Sequence, residues 1–233
     1  MTELPHNTRR VLLIGNSRWH WGERDSFGTR FDHAYPDLAR LTGELSGWAA
    51  VGAVPECLSA AGKRRITLQD VPLVGCPPWL GVDRAIGAWA GWTHSLALSL
   101  DLSSGLLLAD AGTILSITVL SPDGAFLGGQ LIPGYRLQLS AMTKGTEALP
   151  TVPFAPPDEE RFPKKTVLAM RRGVFQSMVA AIREAQKACS GVLWLCGGDA
   201  KLLVAELRNT PLQVQLDPNL QLRGLFHLLD EYP

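Results

Sequence analysis

LLLADAGTILSITVL (residues 106–120) reads as an apolar strand, a turn of small residues and a second apolar strand, with an aspartate at the mouth of the turn. A carboxylate and the Thr113 hydroxyl at the mouth of so apolar a run call for an explanation. A Pro-Asp-Gly turn at 122–124, the strand AFLGGQLI and the helical periodicity of YRLQLSAMTKG follow. The beginning of the chain has the same order. VLLIGNS (11–17) is a strand with a Gly-Asn-Ser turn, RWHWGE (18–23) alternates like a half-exposed strand, and FGTRF (27–31) serves as a third. YPDLARLTGELSGWAA (35–50) then carries Leu38, Leu41, Leu45 and Trp48 at helical spacing, which predicts a helix. Gly15 and Gly112 occupy equivalent places 97 residues apart, the spacing a duplicated domain would give.

Between the halves, DRAIGAWAGWTHSLAL (83–98) predicts a linking helix with Asp83 at its positive N-terminal end. A third strand-to-glycine turn follows later: VLWLC (192–196) runs into Gly197-Gly198-Asp199-Ala200 and a helix through AKLLVAELRN. Residues 166–189 form the longest amphipathic segment, with Val167, Met170, Val174, Met178, Ile182 and Ala185 on one stripe. TVPFAPPDEERFPKK (151–165) reads as a surface loop. Trp89 and Trp92 on the linking helix are expected to fill an interface, and Arg171 and Arg172 to be solvated.

Apolar residues make up 46% of the 233 and charged residues 19%, enough to bury a full core in one or two lobes. Lys plus Arg and Asp plus Glu balance at 22 each, so no global field gathers a polyanion, and nucleic acid is not the expected partner. Lys63-Arg64-Arg65 is too small a basic cluster to change that. No apolar run reaches the roughly 20 residues that span a bilayer. MTELPHNTRR lacks the apolar core of a signal peptide, so a cytoplasmic protein is expected. Cys57, Cys76, Cys189 and Cys196 have no metal-ligand spacing and read as reduced, mostly buried thiols. His20 lies between Trp19 and Trp21 and points to the face opposite both, as an exposed or hydrogen-bonded ring.

Strands that end in small-residue turns leave backbone N–H groups uncovered, and phosphate oxygens can approach them. Two such turns facing each other across a cleft could cradle a triphosphate. Ser17 and Thr113 would add hydroxyls and Asp110 would hold a magnesium ion. The alternative is that both are ordinary tight turns and Asp110 only accepts backbone hydrogen bonds.

Seven short motifs, in order, resemble the type III pantothenate kinases of the actin-like, hexokinase-like and Hsp70-like ATPase superfamily. LLIGNSRWHWG resembles their first phosphate loop and LADAGTILSIT their second. GGQLIPGY (128–135), TEALP (146–150), CGGDA (196–200) and DPNLQLRGL (217–225) resemble later motifs, and PPWLGVDRAIGA (77–88) resembles Pro-x-x-Leu-Gly-x-Asp-Arg. The resemblance implies an α/β fold of two duplicated ribonuclease-H-like lobes, each a mixed sheet flanked by helices, with ATP in the cleft; the lobes are expected at 1–99 and 100–233. It implies transfer of the γ-phosphoryl of ATP to the primary hydroxyl of pantothenate, the first step towards coenzyme A. Asp83 would be the general base, Arg84 would hold the pantothenate carboxylate beside Gly81, and Thr146 would reach the substrate from the partner subunit of a homodimer. Gly15, Asn16, Ser17, Gly112, Thr113, Gly197 and Gly198 would bind the ATP phosphates, and Asp110 the Mg2+.

Three positions depart from the family pattern. Leu13 stands where the first loop usually has an aspartate, and a leucine cannot hold a metal ion or its waters. Thr118 replaces an aspartate associated with a monovalent cation, which speaks against the K+ or NH4+ that the family implies. Val74 replaces a substrate-side tyrosine. Two roles accommodate these losses: a kinase with an altered metal site, or an accessory protein that binds nucleotide or pantothenate without turnover. Retention of Asp83, Arg84, Asp110 and Thr113 favours the first.

Overall fold

The computed structural model describes residues 8–60, 63–208 and 213–232. The first seven residues of the N-terminal segment read above for a signal peptide, and Asn209 at the end of the predicted helix, lie outside them. The chain divides into two compact units, Met1–His94 with Asn219–Pro233, and Ser95–Pro218.

The first unit is built on β1 (Arg9–Ile14), β2 (Trp19–Asp25), β3 (Gly28–Ala34) and β4 (Gly47–Ala50). Their order in the sheet is β3-β2-β1-β4, antiparallel except for the parallel pair of β1 and β4. A short α1 (Glu56–Ala60) and the long α2 (Val82–Ala97) follow. The alternation of β1 and β2 sends Leu12, Ile14, Trp19 and Trp21 into one core with Leu45, Trp48 and Leu58.

The helix predicted over 35–50 is not formed. Asp37 caps a single 3-10 turn at Leu38–Leu41, Gly43 takes a left-handed φ of 94°, and Gly47–Ala50 is a strand. Trp48 lies opposite Leu12 in the parallel register and is buried there. Burial beside β1 outweighs a spacing that suits either period over so few turns.

The second unit holds β5 (Leu106–Ala111), β6 (Ile114–Leu120), β7 (Phe126–Pro133), α3 (Tyr135–Gly145), α4 (Thr166–Cys189), β8 (Val192–Cys196), α5 (Ala200–Arg208) and β9 (Val214–Leu216). The sheet order is β7-β6-β5-β8-β9, with β5 and β8 parallel. The first four strands repeat the order and the pairing directions of the first sheet. A lone parallel bridge from Trp48 to Arg65 stands where β9 pairs with β8. Met170, Val174, Met178, Ile182 and Ala185 of the α4 stripe are buried against β5, β6 and β8, and Val167 lies at the margin.

α6 (Leu220–Glu231), expected in the second lobe, belongs to the first unit. Phe226 packs against Gly22 of β2 and Leu229 against Gly47 of β4. Trp89 of α2 is buried with its ring 4.7 Å from that of His227. Of the four free cysteines only Cys196 is buried, so the thiols are less enclosed than their type predicts. The 151–165 segment is irregular as expected but pinned: Tyr135 donates its hydroxyl to the Ala155 carbonyl and Arg171 donates to Pro153. Arg171 is therefore tied down rather than simply solvated. Among the described residues no helix is long and apolar enough to cross a membrane.

Candidate functional site

In the first unit the site grows from the end of β1. Gly15 N donates to Arg18 O at 3.0 Å, closing a turn whose tip, Asn16 and Ser17, is exposed. The Ile14 carbonyl accepts from Val51 N at 2.9 Å and Gly52 N at 3.2 Å, which fastens the exit of β4 to this turn. The same exit touches the start of α2, because a Cβ on Gly81 would stand 3.6 Å from Val51 Cγ1. The phosphate-type turn and the start of α2 thus share one neighbour within a single unit.

At the start of α2, Asp83 Oδ1 accepts from Arg84 N at 2.8 Å, and the Gly81 carbonyl accepts from Ala85 N at 3.1 Å. A Cβ on Gly81 would lie 2.6 Å from Asp83 Oδ1, so a side chain there would displace the carboxylate. Burial pushes the Asp83 carboxyl above its ordinary pKa, and the Arg84 N–H and guanidinium charge oppose this only in part. The result is a positioned aspartate with raised proton affinity, as a general base requires. Arg84 is half-buried beside it, and Val74 is 74% exposed.

In the second unit Asp110, the penultimate residue of β5, sits between Ser116 of β6 and Cys196 of β8. Gly112 N donates to Ile114 O at 3.2 Å, and the Thr113 carbonyl accepts from Gly134 N at 2.9 Å. Gly134 caps α3, so the first N–H groups of that helix stand beside the turn and add positive potential there. Gly197 has a φ of 87°, and a Cβ on it would collide with Asp110 Oδ1 and the Ala111 carbonyl. Asp199 N donates to the same carbonyl at 2.8 Å. Asp110, Gly112, Thr113, Gly134, Gly197 and Asp199 therefore form one cluster.

Gly134 and Asp199 carried no assigned role in the sequence, although both lie in quoted motifs. Burial raises the Asp199 carboxyl pKa against the nearby Arg136 charge. Their membership could be read only from which carbonyls their amides reach.

Thr146 stands apart from this cluster. It follows α3 at the end opposite Gly134, on the order of 18 Å away by helical rise. It is exposed, and its hydroxyl donates to Met142 O at 2.9 Å. Leu13 is buried on β1, and Thr118 is fully buried on β6 opposite Leu108.

Among the described residues no group of three His, Cys, Asp or Glu side chains could hold a metal ion by itself. A single carboxylate next to a small-residue turn suits an ion that arrives with phosphate oxygens and its own waters.

A family model described as type III pantothenate kinase matches residues 68–188. A type III pantothenate kinase of Synechococcus elongatus is 32% identical, the match spanning 95% of this chain and 96% of the relative. One from Rhodopirellula baltica is 34% identical over 62% of this chain and 54% of its own. Among solved structures, an archaeal actin homologue in complex with ADP superposes with a TM-score of 0.51 at 12% identity, covering 97% of this chain and 99% of that one. At that identity the likeness concerns the fold.

Proposed function

The chain belongs to the type III pantothenate kinase family, and from that premise we propose that it phosphorylates pantothenate to 4′-phosphopantothenate at the expense of ATP. Asp83 is the observation that carries this reading. A half-buried aspartate of raised pKa, fixed at a helix start and braced through Val51 and Gly52 against a phosphate-type turn, is placed as a catalytic base would be.

In the proposed reaction Asp83 accepts the proton of the primary hydroxyl as its oxygen bonds to the γ-phosphorus. The bond from that phosphorus to the β–γ bridging oxygen breaks, ADP leaves, and the proton passes from Asp83 to solvent. Arg84 offers its planar fork to the pantothenate carboxylate. The phosphates would meet N–H groups at the tips of the turns, at Asn16, Ser17 and Thr113, at the start of α3 and along the Gly197-Gly198 backbone, while Gly15 and Gly112, whose own N–H groups close the turns, would leave room for the phosphate oxygens. The Thr113 hydroxyl would donate to the phosphates and Asp110 would hold the magnesium ion, whose contribution when bound is to neutralise charge on the phosphates. Collision of any side chain at 197 with Asp110 supports the fit, since that space is kept clear beside the carboxylate. Thr146 completes the site of a partner protomer in a homodimer, in keeping with its exposure and its distance from the Gly134 cluster.

The test incubates the protein with ATP, magnesium and pantothenate, with and without potassium, and follows phosphopantothenate by mass. Product that disappears in Asp83→Ala upholds the reading. Nucleotide binding without product under every ion would establish the accessory role instead.

A further inference from the structure

The two sheets carry equivalent rows of side chains across their strands, and the rows differ in one way that matters. In the second unit the row is Cys196, Asp110, Ser116 and Leu131. In the first it is Ala49, Leu13, His20 and His33. Residues directly opposite on neighbouring strands share a face, so His20 projects on the side where Leu13 stands in place of a carboxylate.

The hydrogen bonds around His20 fix its tautomer. His33 Nε2 lies 2.8 Å from Asn219 Oδ1, an oxygen that only accepts, so His33 carries its proton on Nε2. Its Nδ1 is then a lone pair, 2.7 Å from His20 Nδ1, which must donate to it. His20 Nε2 is left as an acceptor. That nitrogen faces the first turn: a Cβ on Gly15 would lie 3.1 Å from it. Burial, His33 and Arg18 hold the His20 pKa down to about 4, so the lone pair persists at neutral pH.

We propose that His20 is a further binding residue for the donor nucleotide, its Nε2 accepting a hydrogen bond from the water shell of magnesium–triphosphate at the first turn in place of the carboxylate lost at position 13. A lone pair cannot bind a phosphate oxygen directly, because both are acceptors, whereas a metal-bound water is a strong donor. His33 and Asn219 are positioning residues, holding the ring so that Nε2 and not Nδ1 meets the turn. The proposal rests on the kinase reading above.

The test measures calorimetric binding of a non-hydrolysable ATP analogue, with magnesium and with the metal chelated, to wild type, His20→Leu, His20→Gln and the double variant Leu13→Asp/His20→Leu. His20→Leu is expected to weaken the magnesium-bound analogue about tenfold, the scale of one hydrogen bond in a charged shell, and to leave the metal-free analogue within about twofold. His20→Gln, which keeps an acceptor, and the double variant, which restores a carboxylate, should each recover most of the loss. On wild type, the ring 15N resonance of Nε2 should move upfield when the magnesium analogue is added, a readout that needs no variant to fold. An unmoved resonance, equal binding of the magnesium analogue by His20→Leu and wild type, or equal loss for both forms of the analogue overturns this proposal alone. No binding of nucleotide by wild type overturns the kinase reading with it.

Discussion

At the scale of single residues, the buried carboxyl of Asp83 costs stability once it ionises. Its folded-state pKa is raised by burial, so the folded chain holds this proton more tightly than the unfolded one. Below the ordinary aspartate pKa of about 4 the carboxyl is neutral in both states and costs nothing. As pH rises through the folded value, ionisation favours the unfolded chain and stability falls. Asp83→Asn keeps an oxygen to accept from Arg84 N and removes that penalty. Its melting temperature is expected to exceed that of wild type at neutral pH and to converge with it below about pH 4. Its turnover number should fall on the order of 10²- to 10⁴-fold. A neutral-pH melt of the variant at or below wild type would show that the carboxylate is not penalised. The same raised pKa displaces the acidic limb of the kcat/KM profile upward from the ordinary aspartate range. Gly81→Ala probes the position of the carboxylate rather than its charge. The methyl would stand 2.6 Å from Oδ1, so kcat should drop at least tenfold with the circular dichroism spectrum unchanged.

At the scale of elements, what could be read from the sequence depended on whether local pattern and tertiary burial agreed. The hairpin of β1 and β2, the strand-turn-strand at 106–120, α2, α4 and β8 each have period, turn chemistry and burial pointing the same way. Residues 35–50 do not: Leu38, Leu41, Leu45 and Trp48 match a helix by spacing, yet Gly43 and Gly47 interrupt it and the place beside β1 needs a strand. The return of α6 to the first sheet was invisible for another reason, since an apolar helix face does not say which sheet it will cover. Its packing predicts a measurable effect. Phe226 is buried between Gly22 and the Arg24 guanidinium, which lies 4.6 Å from the ring centroid. Phe226→Ala should destabilise the first unit by about 3–5 kcal/mol. Six of the seven tryptophans lie in that unit, so urea unfolding followed by tryptophan fluorescence reports on it directly. An unchanged midpoint would mean that α6 contributes little to the unit.

At the scale of the whole molecule, the duplication visible in the 97-residue offset reappears as two sheets with one pairing pattern, and the differences between the copies divide the chemistry. The residues proposed to serve the acceptor, Gly81, Asp83 and Arg84, belong to the first unit, and Asp110, proposed to hold magnesium, to the second. Thr146 also belongs to the second, at the end of α3 away from the phosphate turn. In the proposed homodimer a second copy of the chain brings Thr146 to the pantothenate. Subunit mixing tests this. Asp83→Asn removes the base from its own site, whereas Thr146→Val removes a hydroxyl from the partner's site. A mixed dimer therefore has one site with both defects and one with neither. Two purified variants, each impaired at least tenfold, should on unfolding together and refolding at equal ratio recover about a quarter of wild-type activity, since half the dimers are mixed and each has one intact site. If Thr146 instead acted within its own chain, every site would keep one defect, and mixing would restore nothing.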